Sequence, residues 1–431
     1  MRLWQAAGLL LLFTLTVMLV NVLLPNERGV SRNMLGHDFL AFYTAGSFAN
    51  EGKTEQLYDL GAVELFQRQI ARDAGLDVHD VAPWWNPPHV AWLFAPLAKL
   101  PFGQALVVWT GVNVLCMFLS ASLLMRLLGP HATARQTGLV PMGIACAFPT
   151  LHFLGHGQNT GLSLLLLSGV AWAFVARRAV AAGLIASLLA YKPQHAAIVS
   201  VLLVVLMGPR VLIGLAVGLL PQCAFLLLAM PEALANFVHQ LPINLRTIQF
   251  DKPYPWDRHA TLLAFWRQLL QQTELGPHDA VVSITSTAST IALGVMLALA
   301  AWRCWRGTGT TRTRLLALGL LMTPLLMPFY FDYDLLLLAV PATLVAREVI
   351  QSGITRGDRR FALGMLLLAV VSMLNIHIER LTGVNASVVV LTGVSLTLAR
   401  SRRLAAVNVD ADHDGMLGFD DLRSDSPLRA A

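Results

Sequence analysis

The feature that most limits what this chain can fold into is a succession of long apolar runs separated by short polar joints, repeated along most of its 431 residues. A bilayer core takes roughly 20 apolar residues of helix, fewer where a helix is only partly inserted. Within it the backbone must satisfy its own hydrogen bonds, which leaves helices or closed barrels, and runs of this length are helices. They fall at residues 4–24, 104–128, 138–154, 160–176, 179–191, 194–207, 210–230, 279–302, 315–329, 335–347, 361–376 and 382–400. The expected fold is therefore all-α: a polytopic transmembrane helical bundle of about 12 helices, several of them short. Composition agrees, since 56% hydrophobic and only 13% charged residues do not describe a soluble domain.

Charge orients the bundle. With the N-terminus inside, 19 of the 31 Lys and Arg residues fall in the short inner segments and the tail, as the positive-inside rule requires. Both termini are then expected in the cytoplasm, with residues 1–403 as one transmembrane domain and 404–431 as a disordered cytoplasmic tail. The net charge of +6 is dispersed in short clusters rather than along a basic face, which excludes nucleic acid as a partner. Cys116, Cys146, Cys223 and Cys304 are widely spaced in apolar stretches, and neither a disulfide nor a zinc site is expected. The first run ends at Pro25 without a small-residue cleavage site, so it is expected to be a retained helix.

Two outer segments are long, residues 25–103 and 231–278, and polar length of this kind is where chemistry is expected. The first contains an apolar stretch, Val90 to Leu100, too short to span and expected at the interface. The second mixes Tyr254, Trp256 and Trp266 with Arg246, Lys252, Arg258 and Arg267, a combination suited to headgroup depth.

Four polar clusters stand at outer ends of the runs. Gly36-His37-Asp38-Phe39 precedes Tyr43 and Asp59; its carboxylate, among aromatic neighbours, suits a general base, or caps a helix beginning at Phe39. Gly155-His156-Gly157-Gln158-Asn159 has groups that can hold sugar hydroxyls, or that satisfy two helix ends. Tyr191-Lys192-Pro193-Gln194-His195 puts a lysine inside an apolar hairpin, where it needs an anion, and phosphate is the expected partner. Tyr330-Phe331-Asp332-Tyr333-Asp334 offers carboxylates to a substrate, or caps for the next helix. His377, Glu379 and Arg380 are expected to be an ordinary solvated turn.

In this order and spacing, GHDF, YTAG, LYD, WNPP with APLAKLP, GHGQN, AYKPQ and YFDYDL resemble glycosyltransferase family 87 from about Leu35 to Pro341. The resemblance implies a membrane enzyme of the GT-C type that takes its sugar from a polyprenyl-phosphate-linked donor, with Asp38 as the catalytic base. Where the mannosyltransferase branch carries a histidine near the outer end of the late helix pair, this chain has Tyr330, Asp332 and Asp334, so mannose is not implied.

In that setting an acceptor hydroxyl attacks the anomeric carbon, a carboxylate takes the proton and the centre inverts. Lys192 with Arg246 or Arg258 is expected to bind the donor phosphate. His37, Tyr43, Asp59, His156, Gln158, Asn159, Gln194, Tyr330, Asp332 and Asp334 are candidates for sugar and acceptor contacts. No cofactor or metal is required, because fixed cations suffice for a single phosphate, although Asp38 and Asp59 sharing an ion is the alternative. The expected partners are the polyprenyl-phosphate sugar, a lipid or glycan acceptor and membrane lipids, with the site facing the periplasm from the inner membrane. The competing class is a lipid-linked glycan flippase or polymerase; carriers usually show paired repeats and midplane charges, and neither is visible. Residues 410–421 follow a calcium-loop pattern with Asp421 in the final position, read as a disordered acidic tail without a catalytic role.

Overall fold

The computed structural model describes residues 36–74, 81–272, 275–307 and 310–401. The expected first helix and the tail with its calcium-loop pattern lie outside them. Among the described residues the fold is all-α, and no strand longer than an isolated bridge is present.

The first long polar segment carries helices α1 (His37–Asn50), α2 (Leu60–Ala74) and the single turn α3 (Ala91–Phe94). The helices α4 (Phe102–Leu127), α5 (Ala134–Cys146), α6 (Phe148–His156), α7 (Thr160–Val175), α8 (Ala179–Ser187), α9 (Pro193–Met207) and α10 (Arg210–Ala229) follow. Next come α11 (Pro231–Phe250) and α12 (Leu262–Leu270) in the second long polar segment. The chain closes with α13 (Ala280–Trp305), α14 (Arg312–Leu326), α15 (Ala339–Ser352), α16 (Arg356–Thr382) and α17 (Ala386–Arg400).

Every apolar run among the described residues forms helix near the expected bounds, but length sorts them. Five helical stretches are individually long and apolar enough to cross a membrane, and α5 with α6, bent by 47°, makes a possible sixth. The bend follows from Pro149 at the start of α6, whose ring and missing N–H prevent α5 from running on. Asp332–Leu338 is a 3-10 turn leading into α15.

The described parts of these two polar segments are largely helical. Residues 231–278, expected as a headgroup-level loop, contain the 20-residue α11, which starts with Pro231 in its first turn. Asn236 and Asn244 of α11 donate 2.8 Å hydrogen bonds to the carbonyls of Glu55 and Tyr58, tying the two long polar segments together. Arg267 is not a surface cation; it is buried 4.9 Å over the Trp256 ring and bonded to the Gly276 carbonyl and Gln271. Glu379 likewise is enclosed near the end of α16, where Asn375 donates to it, because that helix continues past the expected turn.

Helix α1 is buried on all sides from Phe39 to Ala49. An aromatic nest encloses it: Phe42 stacks on Phe94 at 4.7 Å, and Phe94 meets Trp109 edge-on at 4.9 Å. A Cβ on Gly46 would sit 2.5 Å from the Phe94 carbonyl, so only glycine lets α3 lie on α1. Closer still, a Cβ on Gly214 would come 1.9 Å from the Val180 carbonyl and one on Gly183 2.1 Å from that of Val211; α8 and α10 therefore pack backbone to backbone. At the end of the bundle formed by the start of α14 and the end of α17, buried Arg314 bonds Glu348 at 2.7 Å, and also Asp358 and Ser401. This gathers four helix ends onto one guanidinium.

Candidate active site

Two glycines bring the first polar clusters together. Gly36 precedes α1 with φ of 74° and donates its N–H to the Gly155 carbonyl at 2.8 Å. Gly157 ends α6 with φ of 70°, and a Cβ there would meet the Phe39 Cβ at 2.6 Å. Trp109 Nε1 donates to the Gly157 carbonyl at 2.8 Å. With the turn pinned in this way, Gln158 Nε2 donates to Asp38 Oδ2 at 2.9 Å, and His37 Nδ1 lies 3.5 Å from Oδ1.

Asp38 does not cap a helix at Phe39. The helix starts one residue before Asp38, at His37, its N-cap is Gly36, and no side-chain cap bond is made. The carboxylate sits in the first turn, where the helix dipole favours negative charge. Burial raises its pKa, but His37, His156 and Arg258 outweigh that and hold it well below the usual carboxylate range.

Arg258 comes from the second long polar segment. The Ala260 N–H donates to the Tyr330 carbonyl at 2.8 Å, and His259 bridges to Phe331, laying this segment along the YFDYD turn. Asn385 donates to the His259 carbonyl at 3.1 Å from the far side. Arg258 then reaches Asp332 Oδ1 with one guanidinium nitrogen at 3.3 Å, and its guanidinium carbon lies 5.6 and 5.7 Å from the centroids of the mutually stacked Phe331 and Tyr333 rings. Burial lowers the guanidinium's pKa, but Asp332 and Asp38 more than offset this and keep it charged. The other oxygen of Asp332, Oδ2, faces His152 Nδ1 at 3.1 Å. His152 was not singled out in the sequence, although its spacing of four from His156 puts both on one face of α6, and their rings are 6.2 Å apart.

Lys192 is committed elsewhere. Its Nζ lies 3.0 Å from both oxygens of Asp334, and Thr160 Oγ1 donates to Oδ1 of that carboxylate at 2.7 Å. An enclosed lysine between apolar helices has thus found a carboxylate from the chain. Tyr330, stacked on His195 at 5.2 Å, donates its hydroxyl to the Asp334 carbonyl at 2.8 Å. Tyr330, Asp334, Asn159 and His156 are all enclosed in this arrangement.

Three candidates fall away from the cluster. Asp59 is exposed and caps α2, accepting from the Gly61 and Ala62 N–H groups at 2.9 and 3.1 Å. Tyr43 packs on Phe102 and donates to the Leu100 carbonyl at 2.9 Å. Arg246 is exposed on α11. Gln194, in the first turn of α9, is partly buried. Partly open to solvent near Asp38 are Gln158 and also His37, Asp38, Arg258, Asp332 and His152, the last five with side-chain exposures of 28, 25, 18, 17 and 14%.

Asp38, Gln158, Arg258, Asp332 and His152 are thus gathered, from segments far apart in sequence, in a helical protein with stretches apolar enough to cross a membrane. The chain belongs to glycosyltransferase family 87, whose family model matches residues 84–328, more than half of its length. It is a membrane glycosyltransferase. The matched stretch holds His152, His156, Gln158, Lys192 and Arg258; Asp38 precedes it and Asp332 and Asp334 follow it. Comparison with curated proteins and with solved structures gives no match.

Proposed function

We propose that this glycosyltransferase moves a sugar from a polyprenyl-phosphate-linked donor to a hydroxyl of a lipid or glycan acceptor, with inversion and without a metal, at the periplasmic face of the inner membrane. Both termini are then cytoplasmic. The observation that carries this is the electrostatic influence of Arg258 on Asp38: a carboxylate kept ionised in the field of a guanidinium whose one hydrogen bond among the described residues goes to Asp332. Arginine has five N–H donors in a planar fork, and a phosphate accepts from two of them at once.

The acceptor oxygen attacks the anomeric carbon from the face opposite the donor phosphate, and its proton passes to an Asp38 oxygen as the new C–O bond forms. The anomeric C–O bond to phosphate breaks, and its electron pair leaves with the polyprenyl phosphate. That group gains one negative charge in the step, which Arg258 stabilises more in the transition state than in the ground state. Direct displacement inverts the centre. Asp38 is ionised at working pH and so can accept the proton, and Gln158 holds one of its oxygens while the other lies toward His37. Lys192, neutralised by Asp334, stiffens the floor of the site instead of contacting phosphate.

The test is transfer by purified protein in liposomes containing EDTA, supplied in parallel with isoprenyl-phosphate-linked sugars and with nucleotide sugars. Label passing to acceptor only from the lipid-linked donors is expected. Transfer from a nucleotide sugar with no lipid-linked donor present would overturn the assignment.

A further inference from the structure

Arginine and carboxylate, left to themselves, favour a two-pronged pairing. The Arg258–Asp332 pair is single-pronged and long, 3.3 Å from one guanidinium nitrogen to Oδ1. The cause is visible on the carboxylate: Oδ1 also accepts the Tyr333 N–H at 2.8 Å, and Oδ2 is taken by His152 Nδ1 at 3.1 Å. A carboxylate only accepts, so Nδ1 must carry the hydrogen. The neutral imidazole is sufficient for that bond. His152 is itself held by the Phe148 ring, 4.2 Å away, on the α6 turn that Gly157 presses against α1.

We infer that His152 is a positioning residue for donor binding: by occupying Asp332 Oδ2 it limits that carboxylate to one bond with Arg258 and leaves the rest of the guanidinium fork for the phosphate of an isoprenyl phosphate. The inference rests on the donor class proposed above. Without His152, Asp332 Oδ2 turns toward the second guanidinium nitrogen, and phosphate must compete with an internal carboxylate for the fork. The effect falls on donor affinity, because Asp38 and its Gln158 contact stay in place.

The experiment compares full-length wild type, His152→Phe and His152→Asn in detergent. Geranyl phosphate binding by calorimetry is measured beside donor KM and kcat, and a thermal unfolding midpoint confirms each fold. Phenylalanine removes the donor to Asp332; asparagine places an amide N–H near the position of Nδ1 but cannot carry protons as an imidazole does. His152→Phe is expected to bind geranyl phosphate about tenfold more weakly and to raise donor KM similarly, with kcat at saturating donor little changed. His152→Asn should recover most of that affinity. If phenylalanine does not fit, His152→Ala serves in its place. Equal affinity in wild type and His152→Phe overturns the inference, as does a His152→Asn variant that recovers affinity but turns over far more slowly than wild type, which would mark proton transfer. A wild type that transfers sugar but does not bind geranyl phosphate overturns the donor class, and the positioning role with it.

Discussion

Replacing Asp38 by Asn separates catalysis from structure with unusual economy in this fold. The helix that carries Asp38 is capped by Gly36 and has no side-chain cap bond to lose. Asparagine is nearly isosteric and keeps an oxygen for the Gln158 amide that now donates at 2.9 Å. What disappears is the charge, felt by His37, His156 and Arg258. A quarter of the side chain is exposed, so solvent screens part of that interaction, and the cost of burying an ionised group disappears with it. Stability should therefore change by no more than about 1 kcal/mol. Catalysis should suffer far more, since a positioned base contributes roughly a hundredfold to ten-thousandfold in rate. The assay is kcat at saturating donor and acceptor, with the unfolding midpoint and geranyl phosphate affinity measured on the same preparation. A kcat at least about a hundredfold lower with fold and binding intact is expected. Turnover within a few-fold of wild type would refute Asp38 as base, and Asp332, the other open carboxylate, would be tested next. Because Asp38 is held well below the carboxylate range, wild-type turnover should show no acid limb from this group in the ordinary working range.

The remaining predictions concern the frame of the site. Gly157→Ala forces a side chain into φ of 70° and against Phe39, so it should lower stability by about 1–2 kcal/mol from the backbone alone, and reduce transfer by displacing Gln158 from Asp38. An unchanged melting curve and rate would contradict this. Lys192→Met leaves the enclosed Asp334 without its cation and should destabilise by about 3–5 kcal/mol, with recovery in a Lys192→Met, Asp334→Leu double variant. A single variant as stable as wild type would show that the pair is not structural. Burial, reinforced by Arg258, pushes His259 down to about 3, whereas an unfolded histidine titrates near 6.5. Its contribution to stability is full above about pH 6.5 and is lost as pH falls toward about 3, because the unfolded chain takes up a proton that the fold refuses. Thermal midpoints between pH 7 and 4.5 should fall more steeply in wild type than in His259→Phe, and parallel slopes would exclude His259 as the source.

Much of the architecture was legible in the chain because hydrophobicity is a local property. The apolar runs mark where helices form, and the bounds of α4, α7, α10 and α13 lie within a few residues of theirs. Where a proline or a change of turn intervened, as between α5 and α6, a single run became a bent pair, since run length alone does not register which backbone bonds are broken. The polar clusters around Asp38, Gln158 and Asp332 were equally plain as interruptions of apolar sequence. What each polar group does was decided by partners far along the chain: Asp38 and Gln158 are 120 residues apart, Lys192 and Asp334 142, His152 and Asp332 180. An enclosed charge takes whichever partner the fold brings within reach. That is why Lys192 is paired with Asp334 rather than left free for phosphate, and why Asp59 became a helix cap. It is also why His152, with no mark beyond its spacing from His156, stands on the carboxylate that holds Arg258. Local composition set which segments leave water; only packing set which charges meet, because the energy that pairs them depends on distance in space, not in sequence.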